Sequence, residues 1–303
     1  MMFAWLKFVP MSVLTTVARM AAILARNANA SIYRSIHTNL ALIYPAMPDD
    51  QRDALAKEAL TNQLISTVHS AKSWAMPPAW SVAQIKDVHG FDILQRGLAN
   101  PKGMLAVVPH IGTWEMMNAW INQFGKPTIM YKPSNNVKLD EFVLQGRQRL
   151  NATLVPTDGS GVKAIFKTLK QGSFSVVLPD HVPDRNSGEI APFFGVPTLT
   201  GTLVPKLAHK TGCALVGLAC IRRTDGQGFD VFCYDLADPN LRDADIYTAT
   251  SALNTAMQRM IEPHLAHYMW GYRRFKFTPF GENPYLLPFD ELHKLALKHH
   301  ANG

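Results

Sequence analysis

The chain has 303 residues, 47% hydrophobic and only 17% charged, which suits one large domain with a helical appendage and excludes a disordered chain. Thirty Lys and Arg against 23 Asp and Glu leave a formal net charge of +7, so an anionic partner is expected: nucleic acid, an acidic protein or anionic lipid. The three cysteines, Cys213, Cys220 and Cys233, show no metal-ligand or paired spacing; they read as reduced core residues on the cytosolic side, with no zinc or iron–sulfur site.

Residues 1–30 form the first expected unit, a helical segment that associates with a membrane. Its longest charge-free piece, 8–18, has 11 residues, whereas a spanning helix needs about 20. Ala28-Asn29-Ala30 imitates a signal-peptidase site, but Arg19 and Arg26 argue against a signal peptide. A helix lying in the interface fits better, with Lys7, Arg19 and Arg26 at the head groups. A core-facing amphipathic helix is the alternative.

Residues 31–303 read as a single domain whose start, 31–80, is helical. One helix covers 31–44 and stops at Pro45. A longer one opens at Pro48-Asp49-Asp50, because proline is tolerated in a first turn and acids favour the positive helix end. It continues through Leu55, Leu60, Leu64 and Ile65 to Trp74, until Pro77-Pro78 breaks it.

From about 90 to 285 the pattern alternates. Helices are expected at 91–98, 113–124, 137–150, 161–169, 203–210 and 247–264. Strands are expected at 104–109, 127–131, 154–155, 174–178, 214–222 and 229–234. Such alternation predicts an α/β fold, a mixed central β-sheet flanked by helices.

The most informative stretch is Val107-Val108-Pro109-His110-Ile111-Gly112-Thr113-Trp114-Glu115. The apolar run 104–108 reads as a buried strand, and a histidine and a carboxylate follow where strand gives way to helix. Open α/β folds place their chemistry there. Imidazole supplies a base near neutral pH, and a carboxylate can fix its tautomer. Five residues along a helix are about 140° apart, so the pair converges only if His110 precedes the regular helix. Further candidates follow in order: Gly146-Arg147-Gln148-Arg149 at a helix end, Asp180-His181 after a strand, the aromatic loop Pro192-Phe193-Phe194-Gly195, and the aromatic–basic stretch 268–276.

Together with Asn39-Leu40, Tyr44-Pro45, Tyr131-Lys132-Pro133-Ser134-Asn135-Asn136 and Trp270-Gly271-Tyr272-Arg273-Arg274-Phe275-Lys276, these motifs give the chain a resemblance over nearly its whole length. It resembles the late acyltransferases of bacterial lipid A biosynthesis, within the lysophospholipid acyltransferase superfamily. The resemblance implies a glycerolipid-acyltransferase-like fold and O-acyl transfer from acyl-acyl carrier protein to a hydroxyacyl chain of a lipid A precursor, Kdo-lipid A. It also implies work at the cytoplasmic face of the bacterial inner membrane, among membrane phospholipids. Glu115 and Arg147 match the family's catalytic carboxylate and arginine, His110 its motif histidine and Asp180 a required acid. Lys132, Asn135, Arg149, Arg273, Arg274 and Lys276 are expected to bind substrate. The amino end departs from the family, since Lys7, Pro10 and Arg19 interrupt its apolar span.

The expected chemistry has His110, held by Glu115, take the acceptor hydroxyl proton, with Arg147 and the N–H groups near Gly112 and Thr113 meeting the oxyanion. In the competing assignment Glu115 and Arg147 are the working pair and His110 positions. No cofactor or metal is expected, because a thioester is already activated, and no Gly-x-Ser-x-Gly elbow is present. Lys163, Lys167 and Lys170 form a basic helical face suited to an acidic carrier protein or lipid phosphate. A lysophospholipid or other glycolipid acyltransferase is the alternative enzyme. A nucleic-acid-binding module would fit the charge, but no such motif is present and no nucleic-acid partner is expected.

Overall fold

The computed structural model describes residues 3–279 and 283–301. A 3-10 turn at Ala4–Phe8 leads into α1 (Met11–Asn27), α2 (Ser31–Ile43) and α3 (Asp49–Ala75). Pro48 precedes α3 and Asp49 and Asp50 fill its first turn, as the sequence predicts. The short α4 (Pro78–Ala83) starts on its own proline.

α1 packs along α3 and buries Leu14, Ala18 and Ala22. Lys72 of α3 is buried, and its ammonium donates to the carbonyls of Leu6, Lys7 and Val9 at 2.8, 2.9 and 2.9 Å. Three carbonyls thus replace the water that this cation loses. The other face of α1 leaves Val13, Val17, Met20, Ile23 and Leu24 exposed, and Trp5 and Phe8 continue that surface. Among the described residues no helix is long and apolar enough to cross a membrane.

The α/β part runs β1 (Ile85–His89), α5 (Phe91–Leu98), β2 (Met104–Val107), α6 (Trp114–Ile121), β3 (Thr128–Tyr131), α7 (Val137–Gln148), β4 (Thr153–Pro156), α8 (Gly159–Lys170) and β5 (Phe174–Val177). A separate hairpin, β6 (Gly188–Phe193) and β7 (Val196–Gly201), precedes α9 (Leu203–Thr211), β8 (Ala214–Arg222), β9 (Phe229–Asp235), α10 (Ile246–Ile261) and α11 (Phe289–Ala301). Seven strands form one sheet in the order β1-β9-β8-β2-β5-β3-β4. Only β8 and β9 pair antiparallel, so the sheet is mixed and flanked by helices, as expected.

β2 and β5 are buried throughout because both faces of the sheet are covered. Met104, Ala106 and Val108 pack with Met116, Met117 and Trp120 of the α6 side. Leu105 and Val107 pack with Ile165, Leu207 and Met257 on the opposite face. This period of two carries apolar side chains into both layers. The three cysteines are buried and free.

Three elements escape the sequence pattern. β1 is a half-exposed edge strand, Ile-Lys-Asp-Val-His, with no apolar run to announce it. The 188–201 hairpin contains Pro192 and Pro197 opposite each other, and its turn has Phe194 and Gly195 at φ 51° and 75°, so what reads as an aromatic loop is a tight hairpin. α11 follows the last motif. Conversely, the expected helix at 247–264 ends at Ile261; Pro263 follows inside a 3-10 segment, Glu262–His267.

Candidate active site

β2 and β5 are parallel neighbours in which Val107 sits opposite Val177. The chain leaves each strand and, three residues later, reaches His110 and Asp180. Equal offsets from one register bring the two side chains together at the carboxyl edge of the sheet. From β2 the chain turns to α6 on one face, and from β5 toward α9 on the other, so the pair occupies a topological switch point.

His110 Nδ1 lies 2.7 Å from Asp180 Oδ1, and the His110 backbone N–H donates to Asp180 Oδ2 at 2.8 Å. Asp180 is only 1% exposed and the His110 side chain 22%. Burial alone would raise the Asp180 carboxyl, but the His110 charge and hydrogen bonds carry it well below the usual carboxylate range. An ionised Asp180 accepts Nδ1–H and leaves Nε2 as the proton acceptor. The His181 ring stacks on His110 at 3.8 Å and 2°, and on Tyr272 at 4.2 Å on its other side. Tyr272 Oη accepts the Val182 N–H at 3.0 Å, which fixes the base of this stack. Burial, then the neighbouring His110, lowers His181 to about 4.

Glu115 does not hold His110. It stands in the first turn of α6, 4% exposed, and meets Arg147 near the end of α7. Arg147 Nε lies 3.2 and 3.4 Å from its two oxygens, and Nη2 lies 2.5 Å from Oε1. Burial opposes the Arg147 charge, yet the Glu115 carboxylate more than offsets it and raises the guanidinium's pKa. Four titratable groups therefore form two pairs, His110–Asp180 and Glu115–Arg147. Gly146 permits this approach, since a Cβ there would come within 2.7 Å of the Trp74 Cβ.

The turn between the pairs is tightly bound. Gly112 has φ +62°, its N–H donates to His267 O at 2.9 Å, and the Thr113 N–H donates to Cys220 O at 2.8 Å. Both groups are already used, which removes them as oxyanion donors. Ser66 Oγ of α3 donates to Gly112 O at 2.5 Å.

The remaining residues singled out from sequence divide. Lys132 and Asn135 are exposed in the loop between β3 and α7, where Asn136 caps α7 through the Leu139 N–H. Lys276 is exposed, and Arg273 reaches Ser31 and Ser35 of α2 at 3.1 and 3.4 Å. Arg149 is spent on the carbonyls of Trp74 and Met76, closing the end of α3. Arg274 is 1% exposed and binds Leu199 O and Thr200 Oγ1, each at 2.6 Å. Arg149 and Arg274, both expected to bind substrate, thus carry hydrogen bonds within the protein, Arg149 from an exposed position and Arg274 from a buried one. Asn39, deep in α2, donates to Trp270 O and Tyr272 O at 2.5 and 2.8 Å, so the first and last motifs join. His181 and Tyr272 belong to the site; the sequence shows them only within the Asp180-His181 pair and the 268–276 stretch, and their stacking depends on contacts that no local pattern records.

The family model for bacterial lipid A biosynthesis acyltransferases matches residues 1–277. The chain is 29% identical to the lipid A biosynthesis lauroyltransferase of Escherichia coli (strain K12) over 253 residues, covering 81% of this chain and 79% of that protein. It is 26% identical to the lipid A biosynthesis palmitoleoyltransferase of the same organism, over 81% and 79% of the two chains. Similarity reaches a phosphatidylinositol mannoside acyltransferase of Mycobacterium tuberculosis, 28% identical over 60% of this chain and 57% of that one. With its family match running through the His110 turn, Arg147, Asp180 and the 270–276 segment, the chain is an acyltransferase and belongs to the bacterial lipid A biosynthesis acyltransferase family.

Proposed function

We propose that the enzyme transfers a fatty acyl chain from acyl-acyl carrier protein to a hydroxyl on a hydroxyacyl chain of a lipid A precursor, Kdo-lipid A, at the cytoplasmic face of the bacterial inner membrane. The observation that carries the mechanism is the His110–Asp180 contact at 2.7 Å. His110 Nε2 removes the acceptor's hydroxyl proton as the oxygen attacks the thioester carbonyl. Buried Asp180 stabilises the imidazolium. Collapse of the tetrahedral intermediate forms the ester and breaks the C–S bond, and the imidazolium returns its proton to the departing thiolate. Neither cofactor nor metal enters this sequence.

What favours His110 over Glu115 as the base is that Arg147 engages both Glu115 oxygens. The Glu115–Arg147 pair ties the start of α6 to α7 and holds the helix end next to the reacting carbonyl. The first N–H groups of α6, at Trp114 and Glu115, have no acceptor within their own helix. They are assigned to the oxyanion, at the positive end of the helix.

The donor and the membrane fit two surfaces. Lys163, Lys167 and Lys170 of α8 are exposed, as are Lys206 and Lys210 of the neighbouring α9, a basic face for an acidic carrier protein. The exposed apolar side of α1, edged by Lys7, Arg19 and Arg26, suits an interfacial helix among phospholipids. Lys132, Asn135, Arg273 and Lys276 remain proposed substrate contacts. The test incubates purified protein with acyl-carrier proteins of several chain lengths and with Kdo-lipid A or a lysophospholipid, reading products by mass. Acylated Kdo-lipid A, lost in His110→Ala, is the expected result; acylation of the lysophospholipid alone, or a fully active His110→Ala, would overturn the reading.

A further inference from the structure

Three rings beside the catalytic loop close a circuit of contacts. His181 lies parallel to His110 at 3.8 Å and 2°, and Tyr272 covers its other face at 4.2 Å and 21°. The Val182 N–H, one residue on from His181, donates to Tyr272 Oη at 3.0 Å. The Tyr272 N–H donates to Met269 O at 3.1 Å, and the Met269 N–H to His110 O at 3.0 Å. Asn39 of α2 pins the Tyr272 carbonyl at 2.8 Å. The segment that holds the backbone of His110 thus also carries the base of the stack.

Among the described residues no hydrogen bond holds the His181 ring, so stacking orients it. The residue is exposed, yet both ring faces are covered, and what it offers to solvent is a ring edge. Burial, then His110, lowers it to about 4; Asp180 acts in the opposite sense, and Arg274 and Lys276 add to the lowering. Near neutral pH it is an uncharged ring laid flat on the imidazole beside it.

Asp180 alone leaves His110 one freedom. The hydrogen bond at Nδ1, 2.7 Å long, fixes one ring atom and lets the imidazole turn about the line to Oδ1. A parallel ring at van der Waals distance removes that rotation. Two neutral aromatic rings favour offset or edge-on pairs, with centroids about 4.5–7 Å apart. Near face-to-face contact at 3.8 Å suits instead a charged ring over a neutral one. We infer that His181 is a positioning residue for acyl transfer: backed by Tyr272, it fixes the plane of the His110 imidazole, aims Nε2 at the acceptor hydroxyl and lends its face to the imidazolium. This role rests on His110 being the base.

The test compares His181→Gln, which removes the ring, with His181→Phe, which keeps an uncharged ring and no nitrogen. Full-length protein in mild detergent is assayed with acyl-acyl carrier protein and whichever acceptor the parent enzyme acylates, and thermal melts check the fold. In His181→Gln we expect kcat to fall about ten- to a hundredfold, the scale of a misplaced reacting group, with KM for both substrates within about twofold of the parent. His181→Phe should recover most of that loss. Because His181 acts through His110, His110→Ala/His181→Gln should be no slower than His110→Ala. A parental kcat in His181→Gln, a loss confined to KM, a His181→Phe as slow as His181→Gln, or a double variant slower than His110→Ala overturns the proposal. In each of these cases a slow His110→Ala leaves that residue standing as the base. A parental rate in His110→Ala refutes the base and the positioning role together.

Discussion

Asp180 grips His110 twice, through the ring nitrogen Nδ1 at 2.7 Å and the backbone N–H at 2.8 Å, across 70 residues of chain. One carboxylate therefore sets both the tautomer of the imidazole and the path of the loop that carries it. Asp180→Asn puts an amide where two acceptor oxygens are needed. We expect kcat to fall about 10²–10⁴-fold, and the double variant His110→Ala/Asp180→Asn to be no slower than His110→Ala alone. Rates multiplying in the double variant would show that the two residues do not act as a unit.

Glu115 and Arg147 form a buried ion pair, with side chains 5% and 17% exposed. Removing one partner strands the other's charge. Arg147→Met should lower unfolding free energy by about 3 kcal/mol, near the lower end for broken buried pairs because Arg147 keeps some solvent. Arg147→Met/Glu115→Gln should recover part of that stability while activity stays low. Urea unfolding of the three proteins checks this, and equal losses in the single and double variants would contradict it.

Stability should fall on the acid side in a defined window. His69 and His267 are both held at about 4, chiefly by burial and then by Arg222, whereas an unfolded histidine titrates near 6.5. Between these values the unfolded chain binds more protons, so the contribution is complete above about pH 6.5 and is lost as pH falls toward 4. The melting temperature should be flat near pH 7 to 8 and drop below about 6.5. His69→Gln should make that slope shallower, since it removes one of these titrations and leaves those of His267 and His181.

The centre of the fold is legible in the sequence and its edges are not. β2, β5 and β8 are apolar runs between breakers, and burial on both faces requires that composition. β1 is a polar edge strand, and its pairing depends on β9, about 140 residues away. The site shows the same division. His110 and Asp180 are each visible as titratable residues after strand ends, but their meeting depends on β2 and β5 being neighbours, which no local pattern records. Spacing suggests Glu115 for His110, and the register supplies Asp180. Arg274 reads as a surface cation because its partners, Leu199 O and Thr200 Oγ1, are 75 and 74 residues distant.

Gly112 allows no substitute. It has φ +62°, and an added Cβ would lie 1.9 Å from Cys220 O, a backbone atom that cannot move aside without displacing β8. Gly112→Ala should destabilise the protein by at least about 1–3 kcal/mol, the usual cost of strained backbone, and should reduce activity through the shift of His110. Thermal melts together with initial rates test this; an unaltered melt would mean that the turn tolerates a side chain.

The exposed side of α1 gives a separable prediction. Met20→Glu/Leu24→Glu alters residues 53% and 69% exposed, so the fold should persist while binding to anionic vesicles falls at least tenfold, consistent with lost apolar burial and added repulsion. Co-flotation with vesicles is the measurement. Undiminished flotation with an intact fold would place the lipid contact elsewhere.

α3 touches everything that must stay in register. Its Lys72 holds the 3-10 turn before α1, its Ser66 holds the catalytic turn, and Gly146 and Arg149 close on its far end. Twenty-seven residues make it a rod about 40 Å long. In the proposed interfacial seating of α1, α3 lies alongside that helix and its Ser66 holds the catalytic turn, so His110 would stand at a fixed height above the lipid. Selection among acceptors would then include a vertical coordinate. A hydroxyl would be acylated only if its own lipid could raise it to that height, whatever the fit of the groups around it.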